Sequence, residues 1–331
     1  MGPDHGGGEA GGCAFGRWAR PLVTVRVAPC RVMDHQGQFR RAALALGIPD
    51  DEVSRFIQHL RLSIRLSGGS GGVPVGQFGG LPRLPVGMDW PSDGVDALPF
   101  IFSVDCAALP RVDGFGLPAG GSLLFFLNHE QAAASGERRY GRVVYVPAGT
   151  ETEVAAGRTD PAFVGEQYEV GATLRAEFPD RFGADDEDDE ADDDEDDDDL
   201  SPFQQQLARD LEGDLPHLDE LCAVANDLWP PDSGYASAYI GGYADEEVIK
   251  SIAEQTLAWR EKIGEIVIPV AKWYSHVERE THRLTSEWVS LARFPVDNEL
   301  YYRSAGSFVI RHDDLAAGRL DEALSMGELI P

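Results

Sequence analysis

The chain reads as an α+β fold, with mostly antiparallel sheets and flanking helices. Three observations carry this. Short β-branched or aromatic runs are bounded by Gly/Pro turns, as strands are. Longer stretches place apolar residues on one helical face. Two parts of the chain also echo each other, which suggests one domain built as a pseudo-two-fold duplication. With 331 residues, 43% of them hydrophobic, the chain can enclose a sizeable core.

The elements follow in order. Residues 1–32 are Gly-rich, carry scattered Arg and show no sustained period, so they read as a disordered extension. They lack the apolar stretch of a signal peptide, a basic targeting peptide being the alternative. Met33 precedes the first helical pattern and is a candidate start. Residues 36–46 suit a helix that ends before Ile48-Pro49. Asp50 or Asp51 then caps a second helix to about Leu60, with Val53, Phe56 and Ile57 on one face. Residues 63–66 read as a strand, and 67–72 as a flexible Gly/Ser loop.

From Phe78 to Pro91 the density of Gly and Pro forbids helix or central strand, so an irregular, packed segment is expected. Strands are expected at 99–104, 122–127, 142–146 and 173–177. A helix follows at 202–211, and a turn-rich stretch with short β character at 233–242. Asp245 caps a strong helix to Ile263, and a further helix starts near Pro269. Strands at 288–294 and 307–311 close the pattern, with Asp313 or Asp314 capping a short last helix.

Charge sets strong limits. The formal net charge is −29, and 14 of the 57 acids fall in residues 185–199, which leaves −15 for the rest. Like charges repel and the run has nothing apolar to bury, so about 183–200 reads as a disordered acidic insertion. Residues 33–331 then form a single domain around it. An acidic chain repels phosphate backbones and anionic membrane faces, so neither nucleic acid nor membrane is an expected partner. No apolar run is long enough to span a bilayer. Four scattered cysteines without a CxxC pair suggest reduced thiols and a cytoplasmic location.

The echo has a definite form. The first half reads Phe78-Gly79-Gly80-Leu81, then strand FSVD, then Gly121-Ser122 opening strand LLFFL. The second reads Ile240-Gly241-Gly242-Tyr243, then strand WVSLARF, then Gly306-Ser307 opening strand FVIR. Two helices intervene after the second Gly-Gly, and chance repetition is the alternative. The segments FGGLPRLPVGMDWP, LPFIFSVDCAALP and GLPAGGSLLFFL, with IGGYADE and the closing WVSLARF…DDLAAG unit, resemble the YwqG-like family of bacterial proteins of unknown function. The resemblance covers roughly 78–127 and 240–320. It implies an intracellular α+β protein and no catalytic residues. The family's usual Gln in the first strand and the Pro after its second Gly-Gly-Tyr are absent here.

Chemistry-bearing patterns are sparse. Gly68–Gly72 matches G-x-S-x-G, but Val73-Pro74-Val75 is no helix start for a nucleophile elbow. His276 and His282 are six apart, the wrong spacing for a zinc helix. His312-Asp313-Asp314 reads as a helix start more readily than as an acid–base pair. Cys106 reads as a buried thiol. No cofactor or metal motif appears. The candidate ligand or partner groove combines the two Gly-Gly segments with nearby aromatics: Gly79, Gly80, Pro82, Trp90, Gly241, Gly242, Tyr243 and Trp288.

Three functions compete. The first is a non-enzymatic binding or interaction protein. The second is a hydrolase with its site near the Gly-Gly-Pro segments. The third is an acidic immunity or decoy protein that meets a basic partner surface. An enzyme requires titratable groups to converge in one cleft near the Gly-Gly segments.

Overall fold

The computed structural model describes residues 34–69, 73–135, 138–155, 165–179, 202–231, 234–297 and 303–329. The extension at 1–32, the acidic segment at about 183–200 and Ser70 of the G-x-S-x-G match lie outside these. Asp34 opens α1 (His35–Ala45), its carboxylate accepting the Gly37 N–H at 2.7 Å. In α2 (Asp50–Ile57), Asp50, Asp51 and Glu52 fill the first turn, where the helix dipole favours acids. Next come β1 (Arg61–Gly68), β2 (Gly76–Phe78), β3 (Arg83–Pro85), β4 (Phe100–Asp105) and β5 (Ser122–Leu127). They lead to α3 (His129–Ser135), β6 (Gly141–Val146), β7 (Thr152–Val154) and β8 (Tyr168–Glu177). The later part comprises α4 (Pro202–Asp214), α5 (Leu218–Leu228), β9 (Ala238–Gly241), α6 (Glu246–Lys262) and α7 (Trp273–Thr285). Last are β10 (Trp288–Asp297), β11 (Arg303–Arg311), α8 (His312–Ala316) and β12 (Leu324–Leu329).

One ten-stranded sheet organises these elements, in the order β12-β11-β10-β9-β1-β8-β2-β4-β5-β6. Its centre is the antiparallel β1–β8 pair, in register from Arg61↔Glu177 to Gly68↔Val170. Outward from β8 run β2, β4, β5 and β6; outward from β1 run β9, β10, β11 and β12. The first strand of each arm runs into a Gly-Gly pair.

The sheet curls until it is nearly a barrel, because its concave face carries large aromatics that must leave water. Phe78 stacks on Phe102 at 4.8 Å and Phe102 on Phe125 at 4.4 Å. From the opposite arm, Phe294 meets Phe102 edge-on at 5.7 Å, and Phe308 meets Phe125 at 5.4 Å. Such pairs add about 0.5–1.5 kcal/mol each to the area they bury. Gly141 of β6 lies so close to Ser325 of β12 that a Cβ there would overlap the serine.

The convex face is covered in three places. Phe39 of α1, Phe56 of α2 and Leu221 of α5 pack on Leu62 of β1 and Ala176 of β8. Val248 and Leu257 of α6, with Leu284 of α7, pack on Trp288 and Val309. Leu84 and Leu98 pack on Phe100, Leu124, Phe126 and Val144. In each arm, therefore, the chain that follows the Gly-Gly pair covers the outer face of its own arm. Two-sided burial also explains why β5, SLLFFL, is apolar at successive positions and does not alternate.

Several expectations need correction. The Gly/Pro-rich stretch is bordered by β2, which lies inside the large sheet, and contains β3, which pairs only with β7. Three-residue strands tolerate neighbouring glycines and prolines because few ladder bonds are at stake. His129 and Glu130, just after β5, open α3, a helix not among the elements expected above. Helix α5 and edge strand β12 were not anticipated. Asp313 and Asp314 sit in the first turn of α8 and do not supply its cap, which falls at Arg311.

Candidate functional site

A cavity of about 300 Å³ opens where the β1 N-terminus meets the second Gly-Gly pair. That is the lower end of the range of small-molecule sites, about 300–1,000 Å³. Its polar wall is His35, Gln36, Gln58, Arg61, Asp113 and His312; Ile57, Leu60, Leu62, Val112, Phe115, Trp229 and Val289 supply the apolar wall.

His35, Asp113, Arg61 and His312 are each placed by local structure. His35 is the first residue of α1, where a helix leaves backbone N–H groups without intrahelical partners. The Asp113 carboxylate accepts the His35 N–H at 3.1 Å. Arg111 braces the loop that carries Asp113, donating to the carbonyls of Cys106, Leu117, Pro118 and Ala119. Phe115, on the same loop, lies against Gly241.

Arg61 opens β1. Its guanidinium donates to the carbonyls of Thr285 at 3.3 Å and Trp288 at 3.4 Å, and sits 4.3 Å from the centre of the Tyr243 ring. Burial lowers its pKa from the usual arginine value, opposed by Tyr243 and Glu177. His312 opens α8, and burial, reinforced by the charge of Arg61, lowers its pKa below the ordinary histidine value.

Gly241 and Gly242 have φ of +82° and +79°, a region costly to residues with a Cβ. A Cβ on Gly242 would overlap the Glu177 carboxylate, which accepts the Tyr243 N–H at 2.9 Å. The Tyr243 hydroxyl donates to the His59 carbonyl at 2.8 Å. The turn thus brings bare backbone to the cavity and fixes the tyrosine beneath Arg61.

His35 is the most informative side chain. It is 3% exposed, yet among the described residues neither ring nitrogen has a hydrogen-bond partner. Nδ1 lies 3.6 Å from Asp113 Oδ2, beyond hydrogen-bond reach, and Trp229 meets the ring edge-on at 6.0 Å. Leaving a buried polar group unpaired costs about 1–3 kcal/mol, so such a ring calls for a partner.

The sequence-derived groove residues distribute unequally. Gly242 lines the cavity, Gly241 lies under Phe115, and Tyr243 stacks with Arg61. The Trp288 ring is 3% exposed and packs beneath α6 and α7, only its carbonyl meeting Arg61. Gly79 and Gly80 lie at the other end of the β1–β8 pair, since Phe78 pairs with Tyr168 whereas Gly241 pairs with Ser63. There the Gly80 N–H donates to the Gly165 carbonyl at 2.9 Å, and Gln167 packs against Gly80. The Pro82 carbonyl accepts the Ala155 N–H at 3.0 Å. Trp90 donates its ring N–H to the Leu98 carbonyl at 2.7 Å and meets Phe126 edge-on. His35, Arg61, Asp113, Phe115 and Trp229 were not found from sequence. They come from separate segments with no motif; of the wall residues, Gly242 had stood out as part of a turn and His312 as a helix start.

Fold and site together define an α+β protein on one curled antiparallel sheet, with a small cavity of mixed polarity at one end of its central strand pair. The chain belongs to the family described as a domain of unknown function (DUF1963), whose model matches residues 76–326. Elements α1, α2 and β1, which supply His35 and Arg61, precede the matched region. No curated protein matches the chain. Among the described residues no helix is long and apolar enough to cross a membrane, and no three His, Cys, Asp or Glu side chains are grouped to hold a metal.

Proposed function

We propose that this protein binds a small ligand in the cavity beside Gly241 and Gly242. The carrying observation is His35, a buried imidazole in the wall of an accessible cavity whose nitrogens both lack a hydrogen-bond partner among the described residues. The surrounding mixture of apolar side chains and a few convergent polar groups is the ordinary composition of a ligand site. The YwqG-like resemblance fits this reading, since it brings no catalytic residues. A saturation-transfer NMR screen with a fragment library tests it. Fragments should bind the wild-type chain and be lost in Leu60→Trp, which fills the cavity, with folding checked by thermal melting. Hits that persist unchanged in a folded Leu60→Trp protein contradict it.

A second reading, acid–base hydrolysis, is favoured by the convergence of His35, Asp113 and His312 on one cavity. Among the described residues the wall has no Ser, Thr or Cys nucleophile, and Cys106 is buried with its thiol pushed up to about 11 by burial. Water would have to be the attacking group, so binding is the better account. Loss of ester turnover in His35→Gln, with unchanged fragment binding, would reverse that preference.

The mirrored arms favour an internal duplication. Each arm begins at a Gly-Gly strand and continues through three further strands, and its post-Gly-Gly segment covers its own outer face. On this reading α6 and α7 replace, in the second copy, the 81–99 segment of the first.

A further inference from the structure

We infer that the ligand of this cavity is a small amphipathic carboxylic acid whose carboxylate is taken by Arg61. This rests on the cavity being a ligand site and adds the chemistry of the ligand. A guanidinium stays charged in proteins and carries five N–H donors in a planar fork. Two of these donors reach carbonyls, at 3.3 and 3.4 Å, both long for N–H···O bonds.

Among the described residues no carboxylate forms an ion pair with Arg61. Glu177, its cross-strand partner, offsets part of the charge without forming an ion pair, and its carboxylate is engaged by the Tyr243 N–H. The Tyr243 ring and Glu177 offset only part of the burial, since the pKa stays lowered, so a directly bonded anion would stabilise the half-buried charge further. Among the described residues Asp113 supplies the one carboxylate of the cavity wall, and it is committed to the N–H of His35. His35, Gln58 and His312 add further donors around the same space.

The remaining wall dictates the rest of the molecule. Ile57, Leu62, Phe115 and Val289 offer apolar surface that favours an alkyl or aryl body. A volume of about 300 Å³ admits a compact acid and excludes a long chain. The fork of Arg61 matches a carboxylate with two parallel hydrogen bonds, which an uncharged amide cannot reproduce.

Matched acid–amide pairs test this by isothermal titration calorimetry on the full chain: phenylacetate with phenylacetamide, and cyclohexanecarboxylate with its carboxamide. Each acid is expected to bind about tenfold tighter than its amide or better. In Arg61→Gln that preference should vanish while amide affinity persists. Where Arg61→Gln fails to fold, the wild-type Arg61 Nε–H resonance serves, and it should shift with the acid and not with the amide.

Equal affinity of acid and amide overturns the inference, as does an acid preference that survives in folded Arg61→Gln. So does an Arg61 resonance indifferent to the acid. Failure of both acids in a cavity that takes other fragments sinks the acid alone; a cavity that takes no fragment sinks the ligand site itself.

Discussion

Gly79–Gly80 and Gly241–Gly242 each stand at the end of the first strand outside the central β1–β8 pair, and all four glycines have positive φ. At the first pair, residues 165–167 close over the glycines with a backbone hydrogen bond and the Gln167 side chain. At the second, Phe115 and Glu177 approach from the sides and leave a cavity walled by Arg61, His35 and His312. The same backbone device thus serves closure in one arm and access in the other. Glycine pairs alone do not mark a site. The space beside them decides, and that space is set by segments distant in sequence.

Substitution at the two pairs should separate these roles. In Gly79→Ala the new Cβ strains a left-handed residue and runs into the Glu166 and Gly165 carbonyls, which as backbone cannot swing away. A loss of about 3 kcal/mol is expected by urea denaturation. Gly242→Ala collides with the end of a flexible Glu177 side chain, so about 2 kcal/mol is expected, together with weaker ligand binding because the Tyr243 N–H loses its acceptor. Equal effects on binding at both pairs would break the comparison. Phe115→Ala removes a partly buried cavity wall, and about 1–2 kcal/mol is expected with altered fragment selectivity.

The smallest effects are in pH dependence, and they have opposite signs. His312 has its pKa lowered by burial and by Arg61, so the unfolded chain binds its proton first. Its effect is absent above the unfolded pKa of about 6.5, and stability falls as pH drops from there toward the folded value. His217 has its pKa raised through its hydrogen bond to Glu52, at 2.9 Å. Its contribution is full below about 6.5 and fades as pH rises through the folded value. His312→Gln should therefore flatten the acid side of the stability profile, and His217→Gln the neutral side. Two variants that change the profile in the same direction would contradict this assignment.

Much of the architecture was legible in local pattern. The α6 helix with its Asp245 cap and the β5 strand were read closely because cap chemistry and apolar runs are local signals. Helix α5 was missed, its apolar face being short and shared with irregular flanks. Strand β12, LSMGEL, was missed because an edge strand needs little hydrophobicity. The site was legible only in part. Gly242 and Tyr243 stood out as a turn, but their partners Arg61 and Glu177 face them through register pairing, which no local motif encodes. Asp113 owes its place to the Arg111 brace, again invisible in spacing.

The most direct test of the comparison is backbone amide chemical-shift mapping with a bound fragment, read at both glycine pairs. Shifts are expected at Gly242, Phe115 and His312 and none at Gly79 or Gly80. Shifts centred on Gly79 and Gly80, or of equal size at both pairs, would contradict it.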